Sequence, residues 1–230
     1  MKKILTLTAI LFMLCSVAFA TENGVAHRDS TSKDIGIFSI ASGSIFAPYS
    51  TFKQLSASEK SSHYGWLFTT GYSTLYSVTA LILAARGWEP VVEPTLPIPQ
   101  KDYYWYQAGF TIPVGVAGVG LNSLTVYGLS HAFGSDVTMA ELWGPISVAS
   151  VVPTFITMWI PETLIIPWRE PGNTLPAEID ITRIIVGGVW STVLNVVAVK
   201  ASTDLAWRKS TLIGVTSASV MATLMAVTYR

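Results

Sequence analysis

Charge is scarce in this chain. Only 12% of its 230 residues are Asp, Glu, Lys or Arg, against about 25% in average soluble domains. Fourteen basic residues balance fourteen acidic ones, which removes the basic surface a nucleic-acid partner needs. The single cysteine, Cys15, supports no disulfide framework, and His27, His63 and His131 stand too far apart for metal-ligand spacing. No G-x-S-x-G, no glycine-rich phosphate loop ending in Lys-Ser/Thr and no H-E-x-x-H occurs. Ser130, His131 and Asp136 crowd one turn, yet their spacing imposes no hydrolytic geometry, so a plain polar turn is expected. With no metal site, no cofactor site and no converging ionisable groups, an enzyme is not expected.

What is abundant is apolar length. Half of the chain is hydrophobic and the mean hydropathy is +0.48. Met1, Lys2 and Lys3 precede an apolar run from Ile4 to Ala18, and Ala18-Phe19-Ala20 offers small residues where a signal peptidase cuts. The run is short for a spanning helix, which needs about 20 apolar residues. Residues 1–20 are therefore read as a signal peptide, with an uncleaved anchor as the alternative, followed by a polar segment over 21–63. Met13 and Leu14, standing just before Cys15, do not suit a lipoprotein site.

The remainder, 64–230, divides into five expected spans. Tyr64 to Ala85 carries no charge and is flanked by Trp66 and Trp88, where amphipathic rings favour the headgroup region. Residues 89–99 hold four prolines and form an extended connector. The aromatic cluster Tyr103, Tyr104, Trp105 and Tyr106 opens a second, glycine-rich span that reaches Phe133. The third, Leu142 to Ile160, contains Pro145 and Pro153 and ends at Pro161, so kinks are expected. Residues 161–180 read as an interfacial loop, Ile181 to Val199 as the fourth span and Leu212 to Val227 as the fifth. Serines, threonines and Pro48 dilute 35–52, which reads as an amphipathic helix lying at the interface. Lys and Arg divide evenly between alternate loops and fix no orientation. The fold class is an all-α polytopic transmembrane bundle.

Polar groups inside apolar spans are costly, and they mark candidate sites. Asn122 and Asn195 are the clearest, each able to donate and accept across a helix interface. Glu162, just past Pro161, reads as an interfacial carboxylate. Gly214, Ala218, Ala222 and Ala226 recur every four residues, as do Gly187, Ser191 and Asn195 on the preceding span. Such stripes permit close backbone approach, either of these two helices to each other or of each to a second copy.

The order of these features resembles the Yip1 family of small polytopic membrane proteins in its bacterial form, over about residues 45 to 230. The likeness is carried by Pro48, Phe52 and Leu55 ahead of the first strong span, Trp66-Leu67-Phe68 opening it, and the turn at Gly134 and Ser135. Pro153 in the third span, then Trp190, Val193, Leu194, Lys200 and the segment Trp207 to Ser210 complete it. The resemblance implies a five-helix membrane protein without a catalytic centre, a scaffold or adaptor in membrane organisation or trafficking. The segment closest to the family's Asp-Leu-Tyr-Gly-Pro motif, Glu141-Leu142-Trp143-Gly144-Pro145, opens the third span instead of preceding the first, so the family's GTPase binding is not carried over.

The expected setting is a bacterial cytoplasmic membrane. Expected partners are the lipid bilayer and other membrane proteins or a second copy, with no nucleic acid. A transporter or channel subunit, with a site among kinked helices, is the rival reading. N-terminal sequencing of the membrane-extracted protein is expected to begin at Thr21; a chain that retains Met1 makes the first apolar run an anchor.

Overall fold

Glycine and threonine chemistry at the helix ends sets the element boundaries. The computed structural model describes residues 35–89, 98–164 and 177–228, and every described element is helical, with no strand. The expected signal segment, most of the proline connector and most of the 161–180 loop lie outside the described residues. In chain order the α-helices are α1 (Ile37–Phe46), α2 (Pro48–Ser56), α3 (Ser61–Ala85), α4 (Tyr103–Ala132), α5 (Met139–Thr154), α6 (Ile160–Leu164), α7 (Ala177–Ser202) and α8 (Trp207–Thr228). A single 3₁₀ turn, Gln100–Asp102, leads into α4.

Gly87 and Gly134 adopt φ of 67° and 85°, the left-handed conformation that glycine reaches without a Cβ penalty. At these ends the Trp88 amide donates to Leu83 O and the Ser135 amide to Ser130 O, so carbonyls orphaned at the ends of α3 and α4 are satisfied. Thr138 and Glu141 form a reciprocal capping box at the start of α5, with the Thr138 amide donating to Glu141 Oε2 at 2.7 Å.

Among the described residues four helical stretches are long and apolar enough to cross a membrane: Ser61–Ala85, Gln100–Ala132, Met139–Trp159 and Ile181–Ser202. They coincide with the first four expected spans. The fifth falls in α8, a helix of 22 residues whose side chains are described as far as Thr223. The chain is thus an all-α, membrane-embedded helical bundle.

The third span is its centre. Every residue from Leu142 to Ala149 is buried, which places α5 against neighbours on all sides. Leu142, Ile146, Val148 and Val152 meet Leu194, Val197 and Val199 of α7, and Val126 of α4 and Ile213 of α8 join the same core. Small residues set the spacing. Ser61 O would lie 2.6 Å from a Cβ on Gly144, and Trp143 occupies the place of a side chain on Gly65. Pro145 is accommodated within the helix, whereas Pro153 is followed by a π-helical segment, Phe155–Trp159. Proline withholds an N–H and crowds the preceding turn, and a widened turn relieves that crowding.

The segment expected as one amphipathic interfacial helix is instead two helices, because Pro48 begins a new one at its first turn. This pair, α1 and α2, forms a cap that packs into the bundle: Ile40, Phe52 and Leu55 are fully buried. Its outward side carries Phe38 and Phe46, 90% and 81% exposed. Tyr64 donates its hydroxyl to Ile35 O at 2.6 Å, and the Tyr49 and Trp207 rings lie 6.1 Å apart. The cap therefore covers the end where α3, α5 and α8 begin and α4 and α7 finish.

A methyl group at Gly144 is expected to cost about 1–3 kcal/mol through overpacking against the α3 backbone. Gly71 has nothing within 4 Å of a built Cβ, so Gly71→Ala is expected to leave stability unchanged or slightly raised. Thermal melts of the two purified variants in one detergent check this; equal melting temperatures would refute the close α3–α5 contact.

Candidate functional site

The two asparagines singled out in sequence meet. Asn122 Nδ2 donates to Asn195 Oδ1 at 3.2 Å and to Ser150 Oγ at 3.3 Å, joining α4, α7 and α5 through one amide. Both asparagines are 4% exposed. At 1.5 Å per residue Asn122 lies about 15 Å from the cap end of α4, Ser150 about 16 Å along α5 and Asn195 about 10 Å from the end of α7. The amide pair thus lies about two to three turns inside the bundle from the cap end. Asn122 Oδ1 has no hydrogen-bond partner.

Each helix places its polar residue differently. Asn122 follows the glycine-rich stretch that lets α4 approach α3, where Gly115 packs on Ser73. Asn195 lies in the part of α7, Leu194 to Val199, that is buried throughout. Ser150 comes one turn after Ile146 on the enclosed α5.

The small-residue stripes separate into contacts and open surface. A Cβ on Gly214 would lie 2.6 Å from Val196 Cγ2 and 2.8 Å from Val196 Cα, so α8 approaches α7 at backbone distance. Ala218 is half-buried along the same side and Ala222 is exposed, while the side chain of Ala226 lies outside the described residues. On α7, Gly187 faces the π segment, with Thr157 Oγ1 2.5 Å from a built Cβ, and Ser191 is half-buried. The α8 stripe thus serves packing within the chain at Gly214, and Gly187 faces the third span.

The other sequence candidates have structural partners. His131 Nε2 lies 3.0 Å from Val137 O and its ring packs edge-on to Tyr127 at 4.4 Å, which makes it a staple of the α4–α5 turn. Glu141 caps α5 and Trp143 packs on Gly65. Glu162 has its backbone in α6, and its side chain lies outside the described residues. At the far end a groove of about 310 Å³ is lined by Thr157, Pro161, Thr182, Arg183 and Val186. No group of three or more His, Cys, Asp or Glu residues that could hold a metal occurs among the described residues.

Ser150, and with it Thr69, Ser123 and Ser147, was not singled out in sequence. Thr69, Ser123 and Ser147 are buried hydroxyls in apolar helices, and Ser150 is half-buried. For Ser147 and Ser150 the available signal was their spacing on a span enclosed on every side. Comparisons with protein-family models, with curated proteins and with solved structures find no match to this chain.

An amide bond across membrane helices contributes about 0.6–2 kcal/mol. Asn122→Leu and Asn195→Leu are each expected to lower stability by more than that, because each strands the other amide. A double-mutant cycle on purified protein should return a coupling energy on the order of 0.5–2 kcal/mol, and strict additivity would show that the pair does not interact.

Proposed function

We propose that this chain is a non-enzymatic integral membrane protein of Yip1-like type, a scaffold or adaptor in membrane organisation or trafficking, seated in a bacterial cytoplasmic membrane. The pattern likeness described above motivates the type. The observation that carries the adaptor role is the outer face of α4. Tyr106, Gly109, Pro113, Ala117, Leu124 and Gly128 are all exposed, and a Cβ on Gly109 or Gly128 would meet nothing within 4 Å.

Lipid chains gain nothing from a glycine, whereas a second helix gains close backbone approach. Inside the bundle Gly65, Gly144 and Gly214 take that opportunity, so the open glycines of α4 suit a helix from another molecule. That helix belongs to a partner membrane protein or a second copy.

A second reading, a transporter or channel subunit, has its own support in the Asn122–Asn195 pair buried inside the bundle. Solute or ion flux in proteoliposomes that disappears on Asn195→Leu would favour it.

For the adaptor reading, the double variant Gly109→Leu with Gly128→Leu is expected to melt at the wild-type temperature and to lose higher-mass complexes on native gels of mild-detergent extracts. Complexes that survive the change count against α4 as the docking face.

A further inference from the structure

Most hydroxyl groups in the bundle, enclosed ones such as Ser44, Thr203 and Ser217 included, donate to a carbonyl of their own helix. Thr70, Thr125, Thr192 and Thr223 lie on the outer surface, and each donates to a carbonyl of its own helix one turn back, at 2.7–2.8 Å. That is the expected behaviour where lipid supplies no partner. Thr69, Ser123 and Ser147 are enclosed, at 1%, 0% and 0% exposure, and their hydroxyls have no hydrogen-bond partner. Asn122 Oδ1 shares that state, as do Ser61 Oγ and Trp143 Nε1 at the cap end.

These groups line one seam. Parallel packing puts Ser61 on Gly144 and Gly65 on Trp143, so Thr69 follows one turn later at the level of Ser147. The antiparallel α4, whose Gly115 packs on Ser73, brings Ser123 opposite Gly65, about one turn nearer the cap end than Thr69. Asn122 stands beside Ser123 in sequence, bonded to Ser150 and Asn195. Beyond it the α3–α4 seam is closed by protein: Gly115 packs on Ser73, and Ser77 donates to Ala108 O at 2.7 Å.

A buried hydroxyl without a partner costs about 1–3 kcal/mol, and a residue in a helix can avoid that cost by turning to its own carbonyl. Enclosed hydroxyls that forgo this bond call for a partner from outside the chain. The set needs acceptors for its O–H and N–H groups and a donor for Asn122 Oδ1. Water is both, whereas a cation would satisfy only the oxygens and finds no carboxylate among these side chains.

We propose that the seam between α3, α4 and α5 holds a file of water molecules that runs from Ser61 and Trp143 at the cap end to Thr69 and Asn122 inside the bundle, where the amide pair with Asn195 stops it. The file goes beyond the adaptor reading and depends on no part of it. It hydrates the cap-side part of the bundle and puts the buried amides in contact with the aqueous phase on the cap side.

Two measurements on the full chain test this. Replacing a hydroxyl that holds water by an isosteric methyl removes bonds, whereas replacing a dry one relieves a penalty. Thr69→Val is therefore expected to lower the melting temperature by about 2 °C or more; no change or a rise overturns the proposal. In a Cys15→Ser background reconstituted in liposomes, Ser147→Cys and Ser123→Cys are expected to react with methanethiosulfonate ethylammonium. A thiol beside water ionises and one in apolar surroundings does not, so both should react roughly tenfold or more faster than Ala149→Cys. Ala149 is fully buried in the apolar core. Rates equal to that control, in protein that elutes as a single species, overturn the proposal.

Discussion

Within a bilayer no hydrophobic force draws one helix to another, because lipid tails are as apolar as leucine. Association must come from close van der Waals fit and from polar groups with nowhere else to go. This bundle uses both on the same helix. α5 receives the α3 backbone at Gly144, sends Trp143 into the space above Gly65, and offers Ser150 to the amide of Asn122. The remaining arrangement follows from that centre: α7 lies along its other side, α8 reaches α7 at Gly214, and the cap closes the end where α5 begins.

Much of this was legible in the sequence, for a physical reason. A spanning helix must be long, apolar and uncharged, so four spans declare themselves by composition alone. Turn glycines and the Thr138–Glu141 box mark ends by local rules that need no tertiary context. The asparagines were visible because an amide in an apolar run is expensive anywhere. That they face each other was not, since no local signal encodes which helix neighbours which.

The cap shows the opposite case. Its serines, threonines and Pro48 lowered the apolar signal of 35–52 and suggested a surface helix, yet Phe52 and Leu55 are wholly enclosed. Short elements owe their position to what they pack on, and composition does not carry that. The small-residue stripes illustrate the same limit. Spacing of four identified Gly214 and Gly187 as contact points, while the choice of contact, Val196 for one and Thr157 for the other, belongs to the assembled bundle.

The central placement of α5 also bears on how the chain is made. Its enclosing partner α7 is synthesised only after α5 and the 161–180 connection have left the ribosome. At 5–20 residues per second, translating the stretch from 160 to 202 takes roughly two to eight seconds. Throughout that interval Ser150 and the face that will meet Leu194 and Val197 have no α7 to pack on, and whatever attends the nascent chain must shield a half-built core. The helix that holds the finished protein together thus spends part of its birth with one of its faces uncovered.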